Sequence, residues 1–96
     1  MIDKVVKFAS SYFGIEENDI YSNSRKGKVC LVKHICWYYL HRDMRISISK
    51  LSSHFNRKVW MIFYGIRKIE GWLCYDSTFR KKYFDFKEEL EKGIDE

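Results

Sequence analysis

The sequence predicts an all-α fold, and three features of its composition and pattern support that prediction. The 96 residues contain no proline and five glycines, whereas a small β-rich domain needs many tight turns, which these residues build. Hydrophobic residues make up 46% of the chain and recur at steps of three and four, the spacing of one helix face. The length suits one domain, and no linker, repeat or low-complexity segment interrupts it. We therefore expect residues 1–96 to form a single helical domain.

The first half of the chain predicts three helices. The opening helix should end at Gly14, and its apolar stripe is Ile2, Val5, Val6, Ala9 and Phe13. A single short helical turn follows at 16–21 with Ile20 inward, and residues 22–27 have the composition of a basic loop. A long helix then runs from 28 to about 42, and its buried stripe is Val29, Val32, Ile35, Cys36, Tyr39 and Leu40.

The second half predicts a helix-turn-helix and a final helix. Ser47 suits the N-cap of a short helix, whose apolar residues are Ile48, Leu51 and Phe55. A longer helix follows Asn56, with its inward side predicted to be Val59, Ile62, Phe63, Ile66, Ile69 and Leu73. A short helix, a brief connection and a longer helix form a helix-turn-helix, here at about 47–73. Residues 76–78 then cap a C-terminal helix at about 77–93, with apolar positions Phe79, Tyr83, Phe86 and Leu90.

Positive charge is concentrated in the middle of the chain. The formal net charge is +5, and between residues 25 and 58 Asp43 is the single acidic residue. The basic residues of this region are Arg25, Lys26, Lys28, Lys33, Arg42, Arg45, Lys50, Arg57 and Lys58. The tail from residue 85 is mostly acidic instead. This distribution favours a polyanionic partner, against which a phosphate backbone can lie along one region.

The second helix of a helix-turn-helix enters the major groove of DNA, and its outward face reads base edges. Opposite the inward stripe, this helix carries Trp60, Met61, Tyr64, Arg67 and Lys68. The two cations suit phosphate contacts. The three large, mostly apolar side chains are unexpected on a wet face. One interpretation is contact with thymine methyl groups, sugars or a partner protein, and the alternative is that the last helix folds back over them.

Catalytic and metal sites are not expected. Cys30 and His34, four residues apart on one helix, can share a zinc ion in principle, but no CxxC motif or second ligand cluster accompanies them. No glycine-rich phosphate loop, nucleophile elbow or metalloprotease helix is present. We therefore expect no enzyme activity, no cofactor and no metal. The odd number of cysteines, with no signal peptide and no apolar run of membrane-spanning length, predicts a cytoplasmic protein with no membrane partner.

Three central segments are KHICWYYLHR at 33–42, SISKLSSHF at 47–55 and YGIRKI at 64–69. Together they resemble the C-terminal DNA-binding domain (domain IV) of the bacterial replication initiator DnaA. That family carries an Arg-Gln-x-Ala-Met-Tyr-Leu-like stretch, a Ser-Leu-Pro-x-Ile-Gly-x-x-Phe stretch and an Arg-Lys-Ile ending, in this order. The likeness spans roughly residues 2–75. It implies a Trp-repressor-like helical fold that binds double-stranded DNA. Because no Walker motif occurs, we expect a diverged, stand-alone relative acting in replication or transcription regulation.

The resemblance also implies a set of DNA contacts. Arg25 occupies the position of the loop arginine that enters the minor groove, and Arg57 matches the arginine of the family's Arg-Asp-His-Thr-Thr signature. The remaining signature residues are replaced by Lys58, Val59, Trp60 and Met61, so the DnaA box is not expected as the target. The predicted helical wheel turns Val59 inward, which conflicts with carrying over the contact of the family's histidine.

The predicted DNA-binding residues fall into three groups. The minor-groove residue is Arg25. The residues near the major groove are Ile48, Ser49, Trp60 and Met61. The phosphate contacts are Lys26, Lys28, Lys33, Lys50, Arg57 and Lys58. The alternative is an adaptor or regulator that kept the fold and binds a protein partner, or a second copy of itself, through Trp60, Met61 and Tyr64.

Overall fold

The computed structural model describes residues 2–23 and 26–95, with side chains described as far as residue 93. These residues form six helices and no strand, which confirms the all-α prediction. The helices are α1 (Ile2–Phe13), α2 (Glu17–Tyr21), α3 (Gly27–Arg42), α4 (Ile48–Phe55), α5 (Val59–Tyr75) and α6 (Ser77–Asp95). Each described helix is too short or too polar to cross a membrane.

Helix α3 is the centre of the domain, because α1, α2, α4 and α5 all contact it. Its predicted apolar stripe is buried, and Lys33, His34 and Trp37 are buried as well. The closest approach is to α5 at Gly65. A Cβ atom there would lie 2.7 Å from Cδ2 of His34 and 2.8 Å from Cε3 of Trp37. The absence of a side chain at Gly65 therefore permits the close crossing of α3 and α5.

The caps predicted at Ser47 and Asp76 are present. The Ser47 hydroxyl accepts a hydrogen bond of 3.1 Å from the backbone N–H of Lys50 and so caps α4. Asn56 adopts the left-handed conformation, with φ of 53°, and terminates the same helix. The Asp76 carboxylate accepts from the backbone N–H of Phe79 at 3.0 Å and caps α6. The chain therefore leaves α4 and enters α5 through the short connection that a helix-turn-helix requires.

Helix α6 packs its predicted apolar stripe inward, and all four residues are buried. The Phe86 ring lies 5.1–5.8 Å from the rings of Phe8, Tyr12 and Phe13 in α1. The Tyr83 hydroxyl donates to the Asp43 carboxylate, just beyond α3, at 3.0 Å. Helix α6 therefore lies against α1, the end of α3 and the later turns of α5. The alternative that it folds back over Trp60 is wrong, since that side chain stays exposed.

Helix α5 differs from its prediction at two positions. Ile62, Ile66 and Ile69 are buried as expected, but Val59 and Phe63 are exposed rather than inward. The close crossing at Gly65 turns the side of α5 that carries the three isoleucines toward the core. Val59 and Phe63, one helical turn apart, therefore point away from α3. Because α5 is apolar on nearly every side, its helical wheel has no polar face to indicate which side is buried.

Candidate nucleic-acid interface

The first two turns of α5 expose an unusual amount of apolar surface. Val59, Trp60 and Phe63 are 52%, 65% and 49% exposed, and we call these three side chains the apolar ridge. Tyr64 lies beside the ridge and is also exposed, whereas Met61 is partly buried. This is the face that a helix-turn-helix presents to the major groove. The predicted outward position of Trp60 is therefore observed, and the ridge adds two residues that the sequence did not assign there.

The start of α4 and the turn before α5 also carry exposed polar and cationic side chains. Ser49, Lys50 and Lys58 are exposed. Ile48 is partly buried and packs against the hydrophobic core. Lys50 follows the Ser47 cap, and Lys58 is the last residue before α5. These lysines therefore sit on ordered helix starts, where their positions are fixed by the backbone.

Arg57 ties the helix-turn-helix to the end of α2. Its guanidinium donates to the carbonyl oxygen of Tyr21 at 3.0 Å and to that of Asn56 at 2.9 Å. The side chain is partly buried. Because the residues joined are 36 positions apart, the contact holds the turn against another part of the chain. Arg57 therefore has a structural role besides the predicted contact with phosphate, and the resemblance gave no signal of it.

A recess of about 760 Å³ lies between the early turns of α3 and α5. Three cationic side chains, Lys33, Arg57 and Lys68, line it together with aromatic ones. Asn23, which precedes the basic loop, also lines it. Among the described lining residues there is no carboxylate. The recess therefore brings one end of the loop beside α5.

Lys33 does not have the position that its predicted phosphate contact requires. It is 5% exposed, and its ammonium donates to the carbonyl oxygen of Ser22 at 2.6 Å. Burial lowers the pKa of Lys33, and the nearby Arg57 lowers it further. The side chain therefore anchors the residue at the start of the basic loop. The prediction missed this because a lysine inside an apolar helix face has no local sign of its partner.

His34 lies beneath the recess. Burial, followed by the charges of Lys68 and Lys33, lowers its pKa to about 4, so the ring is neutral at pH 7. Its Nε2 atom lies 3.6 Å from Sγ of Cys30. No group of three or more metal-ligating side chains occurs in the described part of the chain. The pair therefore gives no support to a zinc site, and the lowered pKa of His34 reflects mainly its burial.

The basic loop frames the start of α3. Lys26 and Lys28 are exposed, and the carbonyl oxygen of Lys26 accepts the N–H of Cys30 at 2.8 Å, which orders the entry into the helix. Arg25, the predicted minor-groove residue, lies outside the described residues. Lys26 and Lys28 therefore stand at an ordered helix start.

Comparison with known families identifies this arrangement. The model of the bacterial DnaA protein helix-turn-helix matches residues 2–69 of the 96. The match runs from α1 through most of α5 and includes both helices of the helix-turn-helix. The resemblance seen in the sequence is confirmed. This family is a DNA-binding domain rather than a catalytic one.

Proposed function

The chain belongs to the bacterial DnaA helix-turn-helix family, and we propose that it binds double-stranded DNA with α5 in the major groove and the basic loop at the adjacent minor groove. One observation carries the proposal. The exposed first turns of α5 directly follow Lys58 and border the recess that Asn23, before the basic loop, also lines. This arrangement supports a binding face that combines the start of α5, nearby cations and one end of the basic loop.

The proposed contacts divide by the part of DNA that they meet. Arg25 enters the minor groove, where narrow A·T-rich sequence deepens the negative potential. The side chains near the major groove are Ile48, Ser49, Trp60 and Met61. The phosphate contacts are Lys26, Lys28, Lys50, Arg57 and Lys58, which release counterions on binding. Lys33 is left out because its ammonium donates to Ser22.

The proposed target differs from the DnaA box. The family's Asp-His-Thr-Thr carries hydrogen-bonding groups for base edges, and this chain has Lys58, Val59, Trp60 and Met61 there. Val59 is exposed, so the conflict raised by the predicted wheel disappears and the position of the family's histidine faces outward. A cation and three apolar side chains cannot repeat the hydrogen bonds of the family signature, and the preferred sequence changes with them.

Fluorescence anisotropy with a labelled duplex, at a series of salt concentrations, tests the proposal. We expect affinity to fall steeply with salt, and the Lys50→Ala, Lys58→Ala double variant to lower the log–log slope by about 2, since each phosphate contact contributes about 0.9. The matched control is Lys81→Ala with Lys82→Ala, two exposed lysines of α6. An equal loss in both variants, or no loss in either, would contradict the proposed surface.

A second candidate function, an adaptor that binds protein through Trp60, Met61 and Tyr64, is favoured by the exposure of Trp60 and Tyr64. Large exposed aromatic side chains are typical anchors of protein interfaces. The two functions separate in solution. The adaptor predicts no binding to any duplex at low salt, together with self-association in analytical ultracentrifugation that Trp60→Ala abolishes.

A further inference from the structure

The base-reading turns of α5 are poor in hydrogen-bonding groups. From Val59 to Ile66, only Trp60 and Tyr64 carry a polar side-chain atom. None of these residues is an arginine, asparagine, glutamine or carboxylate, the side chains that recognise base edges by paired hydrogen bonds. These turns of α5 can therefore read bases only weakly through hydrogen bonds. Any sequence preference that they confer must come from another property of the bases.

The major groove offers one strongly apolar feature, the C5-methyl group of thymine. The apolar ridge is its chemical complement, because Val59, Trp60 and Phe63 expose aliphatic and aromatic surface on the face that meets base edges. We propose that the apolar ridge reads thymine methyl groups, so that the protein prefers duplexes with thymine at the positions facing α5. This inference rests on the proposed DNA binding and adds the class of site recognised.

The surroundings of the ridge favour DNA over a protein as its occupant. Lys58 lies at one end of the ridge, and Arg67 at the other stands with its guanidinium carbon 5.7 Å from the centre of the Phe63 ring. A duplex matches this order, because methyl groups in the groove are bordered by phosphates on both sides. A protein partner would need an apolar patch bordered by acidic residues.

The ridge is also held rigidly enough to discriminate. On the opposite side of the same turns, Ile62 and Ile66 are buried, and Gly65 brings α5 into close contact with α3. The cation–π contact of Arg67 further restricts the Phe63 ring. A rigid apolar surface gains affinity from each methyl group it covers, and removal of one such group should weaken binding about fourfold.

The test compares duplexes that differ only in major-groove methyl groups. In an A·T-rich duplex every thymine is replaced by deoxyuridine, and in a G·C-rich duplex every cytosine is replaced by 5-methylcytosine. We expect the first change to weaken binding by about fourfold for each contacted methyl group and the second to strengthen it, in anisotropy at fixed salt. The ridge variant, Val59→Ala with Trp60→Ala and Phe63→Ala, should bind both members of each pair equally.

The control variant is Tyr75→Ala, at the far end of α5, where the side chain is 92% exposed. It should keep the full preference for methylated duplexes. Circular dichroism melting checks that the ridge variant is folded. Equal wild-type binding of the thymine and deoxyuridine duplexes would overturn the inference and leave DNA binding standing. A preference that persists in the ridge variant would overturn it too, because DNA shape would then be its cause. Absence of binding to every duplex would overturn the proposed function, and this inference with it.

Discussion

Helix α6 and the first turns of α5 both carry large apolar side chains, but most of those in α6 are buried and most of those at the start of α5 are exposed. In α6 the inward stripe of Phe79, Tyr83, Phe86 and Leu90 is buried, whereas Phe84, beside the Lys87 ammonium, is 51% exposed. In α5 the apolar ridge is about half exposed or more. The rings of α1 cover Phe86, whereas the ridge is bordered by Lys58, which precedes it, and by Arg67 over the Phe63 ring. Apolar surface covered by other helices stabilises the fold, and apolar surface bordered by cations is available to a charged partner.

Folding alone does not explain the ridge. An exposed Val, Trp and Phe on neighbouring positions gain little from burial within the chain, and contiguous exposed apolar surface commonly marks an interaction site. The cations around it add the charge that a phosphate backbone needs. The comparison therefore supports a stabilising role for the buried stripe of α6 and the proposed binding role for the start of α5.

The largest expected effect is on stability, and it separates the two helices directly. Phe86→Ala should lower the free energy of unfolding by about 3–5 kcal/mol, because it leaves a cavity among the α1 rings. Phe63→Ala should change it by less than about 1 kcal/mol, since the ring is half exposed. Urea denaturation measures both. Similar losses in the two variants would contradict the division of roles.

Gly65 tests whether the crossing of α3 and α5 orients the ridge. Gly65→Ala should cost about 3 kcal/mol in urea denaturation, because the new Cβ would meet both His34 and Trp37 at less than a normal contact distance. The matched control is Gly71→Ala in the same helix, where a Cβ meets nothing within 4 Å. That variant should be stabilised by about 0.5–1 kcal/mol. A neutral Gly65→Ala would mean that the crossing tolerates a shift.

The burial of His34 beneath the recess, with Lys68 and Lys33 nearby, predicts a loss of stability in acid. His34 has a pKa of about 4 in the fold against an ordinary 6.5, so the unfolded chain takes up its proton first as pH falls. The free energy of unfolding should therefore decrease between about pH 6.5 and pH 4, by roughly 2 kcal/mol from this residue. In His34→Gln the decrease over that window should be smaller by this amount. An unchanged acid profile would show that the ring is not held neutral.

Arg57 contributes to the fold and to the proposed binding surface, and two substitutions of it separate these two roles. Arg57→Lys keeps the charge but loses the paired contacts with Tyr21 and Asn56. We expect a loss of about 1 kcal/mol in thermal or urea unfolding and little change in the salt dependence of DNA binding. Arg57→Ala should show the same loss of stability and a salt slope smaller by about 1. A reduced slope in the lysine variant would mean that the guanidinium geometry itself is needed on DNA.

Most of the fold could be predicted from the sequence because α1 and α6 have one apolar stripe each, opposed by polar residues. The caps at Ser47 and Asp76 were predictable for the same local reason. The burial of Lys33 and Trp37 was not, because α3 is covered on nearly all sides and only tertiary contacts reveal that. The direction of Val59 was missed because α5 is apolar around most of its circumference.

The candidate site was predictable in part. The exposed positions of Trp60, Lys50 and Lys58 agree with the expected DNA face, since they depend on the helix-turn-helix pattern alone. The link from Arg57 to Tyr21 joins residues distant in sequence, and no local pattern encodes it. The contribution of Arg25 remains a proposal, because that residue lies outside the described part of the chain.

The most direct test of the central claim is a titration of the ¹⁵N-labelled protein with an unlabelled duplex, followed by the backbone amide signals in NMR spectra. The proposed surface predicts that the largest changes map to the starts of α3, α4 and α5, with Lys58 and the apolar ridge among them, and that the signals of α6 stay in place. Changes centred on α6, or no changes at low salt, would contradict the assignment of the first turns of α5 to DNA.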